Sequence, residues 1–210
     1  METQTNANGK KQALYVVLTV FIVLFLDQWL KFYIKTNFSL GQSHTIFHDW
    51  FELHFTENPG MAFGLEIPSQ WGKIILTSFR LIASVVIVYY IRNLIKEGSK
   101  TAMVVLVSLI LAGALGNIID SLFYGQIFNE STRHTVASFM PESGGYAPIF
   151  MGKVVDMLYF PILDTFWPDW VPYFGGSRLQ FFRPVFNIAD AAISIGVFTI
   201  IAFRRKLFTL

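Results

Sequence analysis

The chain has 210 residues, 53% of them hydrophobic and 14% charged, with a net charge of +2 and no cysteine. A soluble domain usually carries about 25% charged residues, so this composition argues against a disordered chain or an ordinary soluble enzyme and fits a small multi-pass membrane protein. The lack of cysteine excludes a disulfide framework, a thiolate metal site and a cysteine nucleophile, and so small a net charge without a long basic run gives no reason to expect a nucleic-acid partner.

Four segments can supply the roughly 20 residues that a helix needs to cross about 30 Å of hydrocarbon. They are expected at 13–34, 72–91, 101–122 and 184–203. In the first, residues 13–26 are uncharged and Asp27 and Lys31 follow. Lys10 and Lys11 before that run imitate a signal peptide, but no small-residue cleavage site follows it, so the segment is expected to stay as a membrane helix. The second segment contains Arg80, the third is uncharged until Asp120, and the fourth carries Asp190 near its start.

Orientation follows the basic residues. Lys10, Lys11, Arg92, Lys96, Lys100, Arg204, Arg205 and Lys206 make up half of the 16 Lys and Arg, and all fall in short segments on one side. Both termini are therefore expected to be cytoplasmic, with loops 35–71 and 123–183 outside. The aromatic, partly alternating run from Thr45 to Thr56 predicts one or two short strands lying on the outer membrane face. Loop 123–183, rich in Pro, Gly and aromatics, predicts a partly ordered cap. The expected architecture is an all-α membrane protein in one domain, 1–210, with four transmembrane helices, a small β-rich cradle on the outer face and extended outer loops.

An Asp at the centre of a membrane helix costs about 2.5–3.5 kcal/mol on insertion scales, so such residues mark function by default. At about 1.5 Å per residue, Asp27, Asp120 and Asp190 all fall in the outer third of the membrane or at its edge. Asp156, inside the apolar run Val154–Phe160, can return a fourth carboxylate to that level. Burial and like-charge repulsion favour a pair that shares one proton, one Asp acting as general base toward water and the other as general acid. Asn117 and Asp120, and Asn187 and Asp190, repeat one Asn-x-x-Asp spacing, which puts each amide and carboxylate on one helix face.

Structural readings stand beside these. Asp27 and Lys31 have the spacing of a helical ion pair. Arg80 can snorkel or pair with a buried carboxylate, and the two Asn-x-x-Asp pairs can simply hold helices together. Asp164 and Asp169 read as solvated loop residues, and His44, His48, His54 and His134, all in outer loops, do not make a metal motif. A carboxylate-based proton or ion carrier is the rival function, and a membrane scaffold is a third reading.

Five blocks in order carry a family resemblance: Asp27-Gln28-x-x-Lys31, Asn58-Pro59-Gly60-Met61-Ala62-Phe63-Gly64, Gly113 to Asp120, Gly152-Lys153-Val154-Val155-Asp156, and Phe186-Asn187-Ile188-Ala189-Asp190. With these the chain resembles lipoprotein signal peptidase (signal peptidase II), a bacterial membrane aspartyl peptidase. The resemblance implies removal of the signal peptide from diacylglyceryl-modified prolipoproteins, by cleavage just before the lipidated cysteine, at the outer face of the cytoplasmic (inner) membrane. It implies Asp156 and Asp190 as the catalytic dyad. Asp27, Lys31, Asn58, Gly60, Asn117, Asp120 and Asn187 match positions that shape the site and hold substrate. It implies no metal or organic cofactor; the expected partners are prolipoproteins and membrane lipids, and the expected state is a monomer. Two departures stand out. Ser121 follows Asp120 where the family usually has Arg, leaving Arg80, Arg178 or Arg183 to compensate. The connections from Asp120 to Asp156 and from Asp156 to Asp190, with 35 and 33 intervening residues, are long for the family.

Overall fold

The structure is a computed structural model and describes residues 2–47, 50–59, 70–161, 163–181 and 184–208. Helix α1 (Glu2–Asn37) turns the charged residues of its second half inward and most of the apolar residues there outward. Asp27, Lys31 and Lys35 recur every fourth position, hence on one face, and all three are buried, whereas Phe21, Phe25 and Trp29 are about 60% exposed. Water would penalise so large an apolar face, and hydrocarbon favours it. Helix α2 (Gln70–Lys96) repeats the arrangement, with Ile75, Phe79, Ile82 and Val86 facing outward. Helix α3 (Thr101–Ile119) is the central element and packs on α1, α2 and α5 (Ile188–Phe208).

The helices Asn8–Asn37, Trp71–Lys96 and Thr101–Ile127 are long and apolar enough to cross a membrane. The third runs past its expected end at 122, through a π-helical turn at Asp120–Tyr124 and one further turn, α4 (Gly125–Ile127). Helix α5 forms where the fourth span was expected but does not meet the same measure: Asp190 in its first turn and Arg204, Arg205 and Lys206 near its end leave 191–203 as its uncharged stretch. It also begins at Ile188 rather than 184. Val185–Phe186 are drawn into a sheet as a strand, and Asn187 caps the helix, its Oδ1 accepting the Asp190 N–H at 2.9 Å.

The helices carry a four-stranded antiparallel sheet at the end where α1 and α3 finish and α2 and α5 begin. Its order is β1 (Ser43–Phe47), β2 (Phe51–Asn58), β3 (Val154–Tyr159), β6 (Val185–Phe186). The expected strands of the first loop are present as the β1–β2 hairpin. The second loop adds strands that its irregular composition did not announce: β3 joins the sheet, followed there by β6 from the start of the expected fourth span, while β4 (Leu163–Phe166) and β5 (Arg178–Phe181) pair with each other. The register places Thr56 opposite Asp156 and Phe186 opposite Leu158.

Two apolar clusters fix these parts. Near the basic ends of the helices, Ile91 and Leu94 of α2 pack on Met103, Val104, Val107 and Leu111 of α3. At the opposite end Ile34, Phe55, Tyr124, Phe128, Val155 and Met157 tie α1 to the sheet and to the segment after α4. That segment also wraps a buried ammonium. Lys35 Nζ pairs with Glu57 Oε1, donates to Ser131 Oγ at 2.9 Å, and lies over the rings of Phe128 and Tyr146. Lys153 reaches Glu57 at 3.4 Å and Glu130 at 3.2 Å.

Candidate active site

The site begins where α3 meets α5. A Cβ placed on Gly113 would lie 2.2 Å from the carbonyl oxygen of Ala189, and one on Gly116 would lie 2.8 Å from Asp27 Oδ2. Real Cβ atoms do not approach so closely, so these positions require glycine for the helices to touch. The close approach brings Asn117, at the end of α3, against the start of α5.

Beneath the site lies a buried ion cluster. Lys31 Nζ donates to Asp27 Oδ2 at 2.9 Å, Asp120 Oδ2 at 2.8 Å and Asn117 Oδ1 at 3.0 Å. An ammonium has three protons, and all three are used. Gln28 Nε2 adds bonds to Asp120 Oδ1 at 2.9 Å and to Asp27 Oδ2 at 3.1 Å. The free acceptors of the two carboxylates then reach other elements. Asp27 Oδ1 accepts the Ala189 N–H of α5 at 2.8 Å, and Asp120 Oδ2 accepts the Val155 N–H of β3 at 3.2 Å. The helical pair of Asp27 with Lys31 is therefore real, and it also helps place the residues beside Asp190 and Asp156.

Above the cluster two amides separate two carboxylates. Asn187 Nδ2 donates to Asp156 Oδ1 at 2.7 Å and lies 3.1 Å from Asn117 Oδ1. Asn117 Nδ2 donates to Asp190 Oδ1 at 2.7 Å. Asp156 is 4% exposed. Burial, and next the negative charge of Asp190, push its carboxyl up to about 8. A carboxyl so placed keeps its proton at neutral pH and can act as a general acid.

Asp156 and Asp190 open together into a cavity of about 1180 Å³. Asn58, Asn117 and Arg80 share its wall, and Ile193, Ile195 and Phe198 of α5 line its apolar part. Of the residues that the sequence singled out, Asp156, Asp190, Asn58 and Asn117 line this cavity. Asn187, Asp27, Lys31 and Asp120 support it from behind, and Gly60 lies outside the described residues. Arg80 is the arginine that reaches the cavity; Arg178 lies on β5, and Arg183 is outside the described residues. Ser121 is buried and donates to the Asn117 carbonyl at 2.9 Å.

Sequence reasoning missed Glu57 and Thr56, which also line the cavity. The alternation of β2 was the available signal for Thr56, because it sends residues 56 and 58 to one face; it gave none for Glu57. Among the described residues no three His, Asp or Glu side chains converge as metal ligands do.

Comparison with known proteins gives the chain a family. The family model described as signal peptidase (SPase) II matches residues 19–205. The chain is 45% identical over 187 residues to a lipoprotein signal peptidase of Porphyromonas gingivalis, covering 89% of this chain and 80% of that one. It is 38% identical to a lipoprotein signal peptidase of Amoebophilus asiaticus, covering 88% and 75%. A solved bacterial membrane enzyme, determined by the in meso method at 2.3 Å resolution, superposes with a TM-score of 0.58 at 25% identity, covering 90% of this chain and 87% of its own. A match that runs through α1, the sheet, α3 and α5 takes in every element that builds the cavity, and the chain belongs to the signal peptidase II family of peptidases.

Proposed function

We propose that the chain is an aspartic endopeptidase of the bacterial cytoplasmic membrane that cuts prolipoproteins just before their diacylglyceryl-modified cysteine. Family membership supports the substrate class. The observation that carries the mechanism is the meeting of Asp156 and Asp190 at one cavity, each held by a different asparagine.

In this reading Asp156 holds the shared proton and Asp190 is ionised. Asp190 takes a proton from a water as that water attacks the scissile carbonyl. Asp156 gives its proton to the departing amine as the C–N bond breaks. Asn117 and Asn187 hold the two carboxylates apart and fix which oxygen of each faces the cavity. Asn58, at the end of β2, offers an amide to the substrate backbone.

Four helices span the membrane, with α5 as the fourth. Both termini lie on the cytoplasmic side, where the basic residues gather, and the sheet and the dyad lie at the outer face. The extended peptide rests by the sheet while the lipid tails enter the apolar part of the cavity. The working state in this reading is a monomer among membrane lipids.

A gel-shift cleavage assay tests the reading. Purified protein in lipid is expected to cut a diacylglyceryl-modified prolipoprotein and leave the unlipidated form intact, and Asp156→Asn and Asp190→Asn are expected to cut neither. Full activity in either variant removes the dyad. No cleavage by folded wild type, with proton flux in dye-loaded vesicles, would favour the carrier instead.

A further inference from the structure

The mechanism leaves the half-buried guanidinium of Arg80 without a task. Arg80 sits ten residues into α2, roughly 15 Å along the helix axis, in the interior of a membrane-crossing segment. Its Nη1 is fully buried and has no hydrogen-bond partner among the described residues. The same side chain lines the cavity that holds Asp156 and Asp190, and those two carboxylates and Asp120 are the negative charges that act on it. A cationic N–H buried without an acceptor is strongly unfavourable, and an occupant of the cavity that Arg80 lines can supply one when the guanidinium turns toward it.

The chemistry of the occupant follows from charge and depth. An anion at Nη1 would share the cavity with two carboxylates, one of them ionised in the proposed mechanism. A neutral carbonyl oxygen accepts the bond without that repulsion. Asp190 is two residues into α5, about 3 Å from its start, whereas Phe198 is ten residues in, about 15 Å. Arg80 lines the same cavity as the dyad and as Ile193, Ile195 and Phe198, with Asp190 the carboxylate that acts on it most, so its guanidinium meets the boundary between the polar and the apolar lining. A diacylglyceryl-cysteine whose peptide lies at the dyad and whose acyl chains lie along Ile193, Ile195 and Phe198 carries its ester carbonyls at that boundary.

We infer that Arg80 donates a hydrogen bond from its guanidinium to an ester carbonyl of the diacylglyceryl group, which makes it a specificity-determining residue for ester-linked lipid. This rests on the peptidase reading above. An ether-linked dialkylglyceryl group has the same length and apolar area and lacks the carbonyl, so it isolates this contact.

Two synthetic prolipopeptides, identical except for diester or diether glyceryl chains, test the inference on purified protein in lipid nanodiscs. Wild type is expected to show kcat/KM about tenfold or more higher on the diester, the size of a lost hydrogen bond to a charged group. In Arg80→Gln the ratio is expected to fall to about one. Arg80→Lys, which keeps the charge without the planar fork, is expected to be intermediate. Equal rates of wild type on the two peptides overturn the inference, and so does an Arg80→Gln variant that retains the full ratio. A loss of equal size on both peptides also overturns it, because it would place Arg80 at the scissile carbonyl or in folding alone. Should Arg80→Gln fail to fold, the wild-type ratio and Arg80→Lys decide. Failure of folded wild type on both peptides overturns the peptidase reading and this inference with it, whereas cleavage of both without preference overturns only the inference.

Discussion

Asn117 and Asn187 touch amide to amide at 3.1 Å, and each holds a different aspartate, Asn117 binding Asp190 and Asn187 binding Asp156, both at 2.7 Å. Asn187 has a second task, since its Oδ1 caps α5 through the Asp190 N–H. The two tasks separate by mutation. Asn187→Ala should lower kcat/KM by up to about tenfold, the loss of a bond to a neutral carboxyl, and lower stability by about 1 kcal/mol through the lost cap. Asn187→Ser keeps a capping oxygen but not the donor, so it should recover the melting temperature and not the activity. Unchanged activity in Asn187→Ala would leave the amide without a role in the site.

Replacing either proposed catalytic carboxylate should cost more. Asp156→Asn and Asp190→Asn are each expected to reduce turnover by about a thousandfold or more. Helical content by circular dichroism should be unchanged, because asparagine preserves shape and still hydrogen-bonds.

The raised carboxyl of Asp156 sets a pH dependence. Its folded value, about 8, lies above the ordinary 3.8. Between these values the folded state binds the proton and the unfolded state does not, so the contribution of this group to stability is full below about 4 and declines as pH rises toward 8. Asp156→Asn should flatten that slope in thermal melts from pH 5 to 8. Activity should fall as pH passes about 8 and the general acid loses its proton; a wild-type rate that keeps rising to pH 9.5 would contradict that role.

Lys31 is expected to matter to folding before chemistry. Its ammonium serves Asp27, Asp120 and Asn117 at once, with Asp27 and Asp120 fully enclosed. Lys31→Met leaves two buried carboxylates without their shared cation, which should destabilise the protein by about 3–5 kcal/mol. Melting in detergent micelles would show it.

Gly113 offers a packing test far from charge. Valine there would drive its Cβ into the Ala189 carbonyl and push α5 away from α3. Gly113→Val should therefore abolish activity by displacing Asp190, whereas Gly41→Val, with nothing near its Cβ but a φ of +84°, should cost only local turn stability.

Much of this was legible in the sequence because hydrocarbon imposes simple rules. Long uncharged runs announced the first three spans, and polar residues inside those runs announced the site, since lipid tolerates them only for a reason. The fourth helix was legible in place but not in register: Asn187 and Pro184 are equally at home before or within an apolar segment until β6 pairs with β3. The pairings were not legible. Lys31 could be matched with Asp27 by spacing, but its contact with Asp120 depends on how far α3 slides along α1. Glu57, Lys35 and Lys153 looked like loop charges, and their burial follows from a wrap that only tertiary packing defines. Arg80 showed as a misplaced charge, and only the cavity shows what it faces.

Among the described residues the β4–β5 hairpin pairs with no strand of the main sheet, and the chain leaves for it just after β3 and returns just before β6. Phe160 and Phe186 stack at its root with ring centroids 5.8 Å apart. Doubling the length of a flexible connection costs only about 0.6 kcal/mol in closure entropy, and this one is closed at its base by the stacked rings and the β3–β6 pairing. The stretch between Asp156 and Asp190 is therefore a place where descendants of this enzyme can gain or lose whole surface features, and meet different outer surroundings, while the separation of the two carboxylates stays as it is.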